Sequence, residues 1–256
     1  MQQGMYNLTS QMISGQRNLN VIGHNITNIS TPGHRADRLA ITSFKEEMMV
    51  RTGNLDKKND VPIGNFYMAT TMDEAITYFG EKGVFDNTGM PLDFALVSDG
   101  FFAIKDENST KYTRNGSFII DDDGYLALPS VGRVLDNNGE EILLNTDDIM
   151  GDSRGNIYNK DTNEKLATIG VYNFDDYHAA LRKDDTGMFV LREGQTADNA
   201  QNPEMLWQYV ELSNTNMADE MVKMITAQRG IQASAQILKM YDGLTARITN
   251  DIGRLS

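Results

Sequence analysis

The chain has no cysteine among its 256 residues, which removes disulfides, thiolate metal sites and cysteine nucleophiles together. Histidine is scarce: His24, His34 and His178 are the whole supply, and they stand at no metal-ligand spacing. No apolar run approaches the roughly 18 residues of a membrane span. The first residues also lack a basic segment followed by a continuous apolar one, so neither an integral membrane protein nor a cleaved signal peptide is expected. No Gly-x-Ser-x-Gly, phosphate loop or His-Glu-x-x-His is present. Trp207, the single tryptophan, precedes the last strand-like run and is expected to anchor a β-domain there.

Net charge is not spread evenly. Residues 1–40 carry +2 and residues 213–256 carry +1, so with −13 for the whole chain residues 41–212 hold −16. A middle of that charge is solvated and repels nucleic acid, whereas near-neutral ends can pack against many copies of themselves.

Two apolar patterns occupy the ends. Met5, Leu8, Met12, Gly15, Leu19, Ile22, Ile26 and Ile29 follow at spacings of three and four. Met217, Met221, Met224, Gln228, Ile231, Ala235 and Leu238 do the same, and Tyr241, Leu244, Ile248, Ile252 and Leu255 continue after one slip of phase. Such stripes predict partner helices. The first is expected from Tyr6 to Ile29, stopped by Ser30-Thr31-Pro32-Gly33, where proline restricts Thr31 and glycine permits the turn. The second is expected from Asn216, a capping residue, almost to Leu255. Gly230, Gly243 and Gly253 each weaken it by up to ~1 kcal/mol relative to Ala, so packing has to hold it.

The middle reads as strands at Leu92–Val97, Phe101–Lys105, Lys111–Ile120, Tyr125–Leu128, Arg133–Leu135 and Glu141–Leu144. More follow at Lys165–Phe174, Gly187–Arg192 and Leu206–Leu212. Turn chemistry separates them: Ser98-Asp99-Gly100, Asp106-Glu107-Asn108-Ser109, Asp121-Asp122-Asp123-Gly124 and Asp136-Asn137-Asn138-Gly139. The spacing predicts antiparallel pairing rather than βαβ units. Residues 36–85, broken by Gly53, Asn59, Pro62, Gly64 and Gly83, read as an extended connector with some strand.

The fold class is therefore α+β, with N- and C-terminal helices forming a coiled-coil-like inner domain and a central, mainly antiparallel β-domain. The expected organisation is an assembly helix and turn over 1–35, a connector over 36–85, a β-rich domain over 86–212 and an assembly helix over 213–256. The acidic clusters do not redirect this reading. Placing Gly124 at the sixth position of a calcium loop puts Ile119 first and Ser130 last, where carboxylates are required, so a hairpin turn is expected instead. Asp147-Asp148 and Asp175-Asp176 have the residue types of a glycosidase pair, but solvated loop acids are the commoner use. No metal, cofactor, nucleic acid or small-molecule substrate is expected.

Three motifs carry a resemblance. His24-Asn25-Ile26-Thr27-Asn28-Ile29-Ser30-Thr31-Pro32-Gly33 resembles the asparagine-rich helix end and Thr-Pro-Gly turn of bacterial flagellar rod and hook proteins. Asp99-Gly100-Phe101-Phe102 with Tyr112-Thr113-Arg114-Asn115-Gly116-Ser117-Phe118 is similar to the opening of that family's β-domain. Glu211-Leu212-Ser213-Asn214-Thr215-Asn216-Met217, with Glu220-Met221-Val222 and Met224-Ile225-Thr226-Ala227-Gln228-Arg229, resembles its carboxy-terminal signature. His24 stands where the family usually repeats Asn, and His34 where Tyr or Phe usually follows the turn.

The resemblance implies a structural subunit of the flagellar basal-body rod, of proximal or distal type and without enzymatic activity. It would be exported through the flagellum's own secretion apparatus to lie outside the cytoplasmic membrane. It would polymerise with copies of itself and with other axial proteins into the tube that transmits torque. The assembly interface is then expected on Met5, Leu8, Met12, Leu19, Ile22, Ile26, Ile29, Met217, Met221, Met224, Ile231, Leu238, Leu244 and Ile248, with the turn motif on Asn25, Asn28, Thr31, Pro32 and Gly33. A hook or hook-junction subunit is the neighbouring reading. A secreted acidic hydrolase, which would gather carboxylates in a cleft, is the reading from another class.

Overall fold

The computed structural model describes residues 2–51, 61–106, 109–184 and 186–253. Gly53, Asn59, Glu107, Asn108 and Leu255, named above, lie outside them, as does the side chain of Ile252. The chain divides into two compact units, one made of Met1–Ile26, Asp37–Ile76 and Met217–Ser256, the other of Thr27–Ala36 and Thr77–Asn216.

The first unit contains α1 (Gln2–Thr27), the paired strands β1 (Asp37–Arg51) and β2 (Val61–Thr77), and, from the far end of the sequence, the helix Met217–Gly253. α1 stops before Ile29, earlier than the apolar pattern suggests, because the chain turns at once. The Thr31 N–H donates to the Asn28 carbonyl at 3.1 Å, and His34 N–H to the Thr31 carbonyl at 3.3 Å. The helix also begins earlier than Tyr6. Gly4 is helical and lies against Tyr241, where an added Cβ would meet the phenol oxygen at 3.1 Å.

The second unit begins with β3 (Phe85–Asn87), β4 (Phe94–Leu96), β5 (Phe101–Lys105), β6 (Thr110–Thr113), β7 (Ile119–Ile120), β8 (Leu126–Leu128) and β9 (Gly132–Val134). β10 (Ile149–Gly151), β11 (Asn156–Asn159), β12 (Lys165–Thr168) and β13 (Val171–Asn173) follow. A single-turn helix α2 (Tyr177–Ala180) precedes β14 (Leu181–Lys183), β15 (Phe189–Leu191), β16 (Asp198–Asn199), β17 (Met205–Trp207) and β18 (Tyr209–Glu211), after which the chain enters α3 (Met217–Gly253). The main sheet runs β14-β15-β6-β5-β9-β8-β7, with β13 on β5 and β16 on β13; β10-β11-β12, β17-β4 and β18-β3 form smaller sheets. Every strand pair with a defined register in this unit is antiparallel, in agreement with the α+β class.

β5 explains why the sheet is two-sided. Phe102 and Ile104 enter a core with Phe94, Leu96, Leu126, Val134, Ile149, Ile157 and Ile169, while Phe101 and Ala103 face a second core of Tyr112, Leu135, Phe174, Leu181 and Phe189. A strand buried on both faces reads as a continuous apolar run, as Phe101-Phe102-Ala103-Ile104 does. Trp207 packs against the first core, and its indole N–H donates to the Pro91 carbonyl at 2.8 Å.

Three hairpin turns share one device. In Asp121–Gly124, Asp136–Gly139 and Asp152–Gly155 a carboxylate oxygen accepts the N–H groups two and four residues on, at 2.7 to 3.0 Å, and the glycine has a φ of +87°, +81° and +77° respectively. Asp176 is likewise occupied. It caps α2, accepting from the His178 and Ala179 N–H groups. The run expected over Lys111–Ile120 is interrupted, because the Asn115 side chain accepts the Ser117 N–H at 3.0 Å and bends the chain.

Candidate assembly surface and the charged clamp at the turn

In the first unit α1 and α3 run antiparallel. Gly4 meets Tyr241, Gly15 meets Ile231 and Asn25 meets Glu220, so positions advance along one helix as they recede along the other. A Cβ built at Gly15 would come within 2.8 Å of Ile231 Cγ1. Among the described residues the buried side chains of the helix pair are Ile22 and the small or polar Ser14, Asn25, Glu220 and Ser234. A cleft of about 440 Å³ along it is lined by Asn7, Gln11, Ser14, Gly15, Asn18, Ile41, Ala227, Gly230 and Ile231.

The expected apolar stripes divide across this arrangement. On α1, Ile22 is buried at 3% exposure, while Met5, Leu8, Met12, Leu19 and Ile26 are half-buried, as is Ile29 beyond the helix end. On α3, Met224, Ile231 and Leu238 are half-buried, whereas Met217, Met221, Leu244 and Ile248 are exposed. The structure adds members that a single stripe misses: Tyr6 and Ile13 on α1, and Val222, Ile225, Ile237 and Met240 on α3, are 39% to 75% exposed. A helix that is apolar on two sides carries this signal, since Val222 and Met240 lie roughly opposite Ile231 on the 3.6-residue period.

Asn25 closes the helix exit within this unit. Its amide donates to the Asp37 carbonyl at 2.8 Å and accepts the Asp37 N–H at 2.9 Å, and its nitrogen lies 3.4 Å from Glu220 Oε2. Glu220 Oε1 accepts from Lys223 at 2.6 Å. His24 Nδ1 stands 3.5 Å from the Asp37 carboxylate.

In the second unit, residues from all three sequence motifs meet. Glu211, 1% exposed, pairs through Oε1 with Arg35 at 2.7 Å and through Oε2 with Arg114 at 3.3 Å. Its Oε1 also accepts the Gly83 N–H at 2.9 Å, and its carbonyl accepts the Gly33 N–H at 2.6 Å. Arg35 donates to the Glu81 carbonyl and Arg114 to the Leu96 carbonyl. Burial lowers the Arg35 pKa from its ordinary value, and the Glu211 carboxylate opposes that shift. Gly33, at φ +67°, fits because no side chain would: a Cβ would lie 2.3 Å from the Arg114 carbonyl carbon.

His34 is buried beside this clamp, with Nε2 3.4 Å from the Lys183 ammonium and Nδ1 3.4 Å from the Ser213 hydroxyl. An ammonium only donates, so Nε2 is assigned as the acceptor and Nδ1 as the protonated nitrogen. Asn28, Thr31, Pro32, Gly33 and His34 line a small cleft with Thr113, Asn115 and Thr186 through Phe189. The clamp itself is not readable from spacing, since its three charged members are separated by 79 and 97 positions. Among the described residues no three His, Asp or Glu side chains gather as a metal-ligand set.

Comparison with known proteins points the same way as this geometry. Residues 208–251 match the family described as flagellar basal body rod FlgEFG protein C-terminal, and residues 95–161 the flagellar hook protein FlgE/F/G D1 domain. The chain is 28% identical to the flagellar basal-body rod protein FlgG of Bacillus subtilis, with 98% of this chain and 99% of the relative covered. It is 27% identical to the rod protein FlgF of Mesorhizobium japonicum, with 93% of each covered. It is also 27% identical to FlgG of Borreliella burgdorferi, over 99% of this chain and the whole of the relative.

Proposed function

We propose that the chain is a structural subunit of the flagellar basal-body rod, and that it polymerises through the outward apolar sides of α1 and α3 with copies of itself and other axial proteins. The observation that carries this reading is the row of exposed apolar side chains on helices that are already paired. Val222, Ile225, Met240 and Leu244 are 51% to 63% exposed in the chain alone. Burying such groups against a neighbour returns ~25 cal/mol per Å² of apolar area. A helix pair that needs further partners suits a coiled-coil-like inner layer of a tube. Axial growth requires an interface that does not close on itself. Asn25, Asn28, Thr31, Pro32 and Gly33 are the turn motif of this reading, and the Glu211 carbonyl holds the Gly33 N–H.

The polymer is the element that carries motor torque, and the subunits reach its growing end through the flagellar export apparatus, outside the cytoplasmic membrane. FlgG and FlgF relatives match at the same level of identity, which supports the rod over the hook reading without separating proximal from distal positions. The test is a Val222→Asp/Ile225→Asp chain. Purified, it should keep its helix content and melting temperature, since both side chains are exposed. In cells it should leave no rods in isolated basal bodies and abolish swimming. Normal swimming of that strain would remove α3's outward side from the interface.

A further inference from the structure

Methionine is the only sulfur in this chain, present fifteen times in the absence of cysteine. Met205 is buried at 1% exposure, but Met221 and Met240 are 51% and 61% exposed on α3. Met240 lies on the outward side of that helix near Ile237 and Leu244, and Met221 stands on the flank of that side, one turn before Ile225. We propose that Met221 and Met240 are two reversible oxidation sites at which peroxides switch off packing between copies. The inference rests on the assembly reading of α3 given above.

The chemistry is a two-electron oxygen transfer. A thioether lone pair attacks the peroxide O–O bond, an S–O bond forms as O–O breaks, and water leaves; sulfur is oxidised and the peroxide reduced. Two thiols reverse it, becoming a disulfide as the sulfoxide oxygen departs as water. An unbranched thioether fits the varied neighbours of a polymer contact well, while its sulfoxide is a strong hydrogen-bond acceptor. In an apolar seam that acceptor has no donor, and leaving a polar group unsatisfied on burial opposes association. Copies already assembled cover both side chains, so sensitivity belongs to subunits not yet incorporated. Met90, 62% exposed in the other unit, should oxidise without consequence for assembly.

Peroxide treatment of the purified full-length chain, followed by peptide mass mapping, should give sulfoxide at Met221, Met240 and Met90 before Met205. In cells, Met221→Gln/Met240→Gln, a polar stand-in for the sulfoxide, should lower rod number at least tenfold, while Met90→Gln leaves it unchanged. Met221→Leu/Met240→Leu should build rods, and go on building them after a hydrogen peroxide pulse that halts new rods in the parent strain. Extra methionine sulfoxide reductase should shorten that halt. Should the glutamine chain fail to fold, the pulse comparison between the parent and the leucine strain decides alone. The proposal is overturned if both halt equally, if the glutamine strain builds normal rods, or if Met221 and Met240 oxidise no faster than Met205. Rods in the Val222→Asp/Ile225→Asp strain would instead sink the assembly reading beneath it.

Discussion

Glu211 is the residue on which the turn depends. Its two carboxylate oxygens hold Arg35 and Arg114, both 3% exposed, and Glu211 itself is 1% exposed. Glu211→Ala should therefore cost about 3–5 kcal/mol, because two guanidinium groups would stay buried without their counter-charge. Urea denaturation of the purified chain measures this. A loss below ~1 kcal/mol would mean that the arginines escape to solvent. The Asp-x-x-Gly turns are the opposite case, legible from sequence because carboxylate, backbone and glycine all lie within five residues. Glu211 was legible only as part of a motif. Its partners lie at positions 35 and 114, and nothing local announces them.

Periodicity of 3.6 marks the two terminal helices, and runs of β-branched and aromatic residues ended by Asp and Gly mark most hairpins, so the antiparallel α+β fold is legible in the sequence. The missing pieces had weak or mixed signals. β10 and β11 are short strands set among Asp147, Asp148, Asp152 and Arg154, which dilute any apolar alternation. The single-turn helix α2 depends on one cap, Asp176. On α3 a single apolar stripe includes Met224 and Ile231 but omits Val222 and Ile225, which lie on another side of the helix. Asn25→Ala removes the side chain that bonds both the Asp37 N–H and the Asp37 carbonyl, at a cost of about 2 kcal/mol. Hydrogen exchange of the Asp37 amide should then accelerate by more than tenfold, while amides of β5 keep their protection. An unchanged Asp37 rate would show that the side chain does not hold the helix exit.

Across the whole molecule the charge is uneven, and its ion pairs set an acid limit. Hydrogen bonding by Lys82 holds the Asp99 carboxyl below its ordinary pKa, and Lys105 followed by Arg133 does the same for Glu141. A carboxyl depressed in the folded state contributes stability that is full above its unfolded pKa, near 4, and is lost as the pH falls through the folded value. The melting temperature should thus be level from about pH 7 to 5 and decline below about 4. In a Lys82→Met/Lys105→Met chain that decline should be shallower. An equal slope in both proteins would place the acid sensitivity in other carboxyls.

The placing of the terminal helices also sets an order in time. α1 ends at Thr27 and α3 begins at Met217, so a newly made chain must wait for about 190 further residues before its first helix has a partner. Closing so long a loop directly costs roughly 5 kcal/mol of chain entropy beyond a constant. Strands such as β5 and β6 or β8 and β9, by contrast, find their partners within a few residues. Once those hairpins and the longer β18–β3 pairing have formed, the Asn214 N–H sits 3.3 Å from the His34 carbonyl, and most of the loop has already been closed. The helix pair is then left to zip from Asn25 and Glu220 outward, as the last event and the first to reverse.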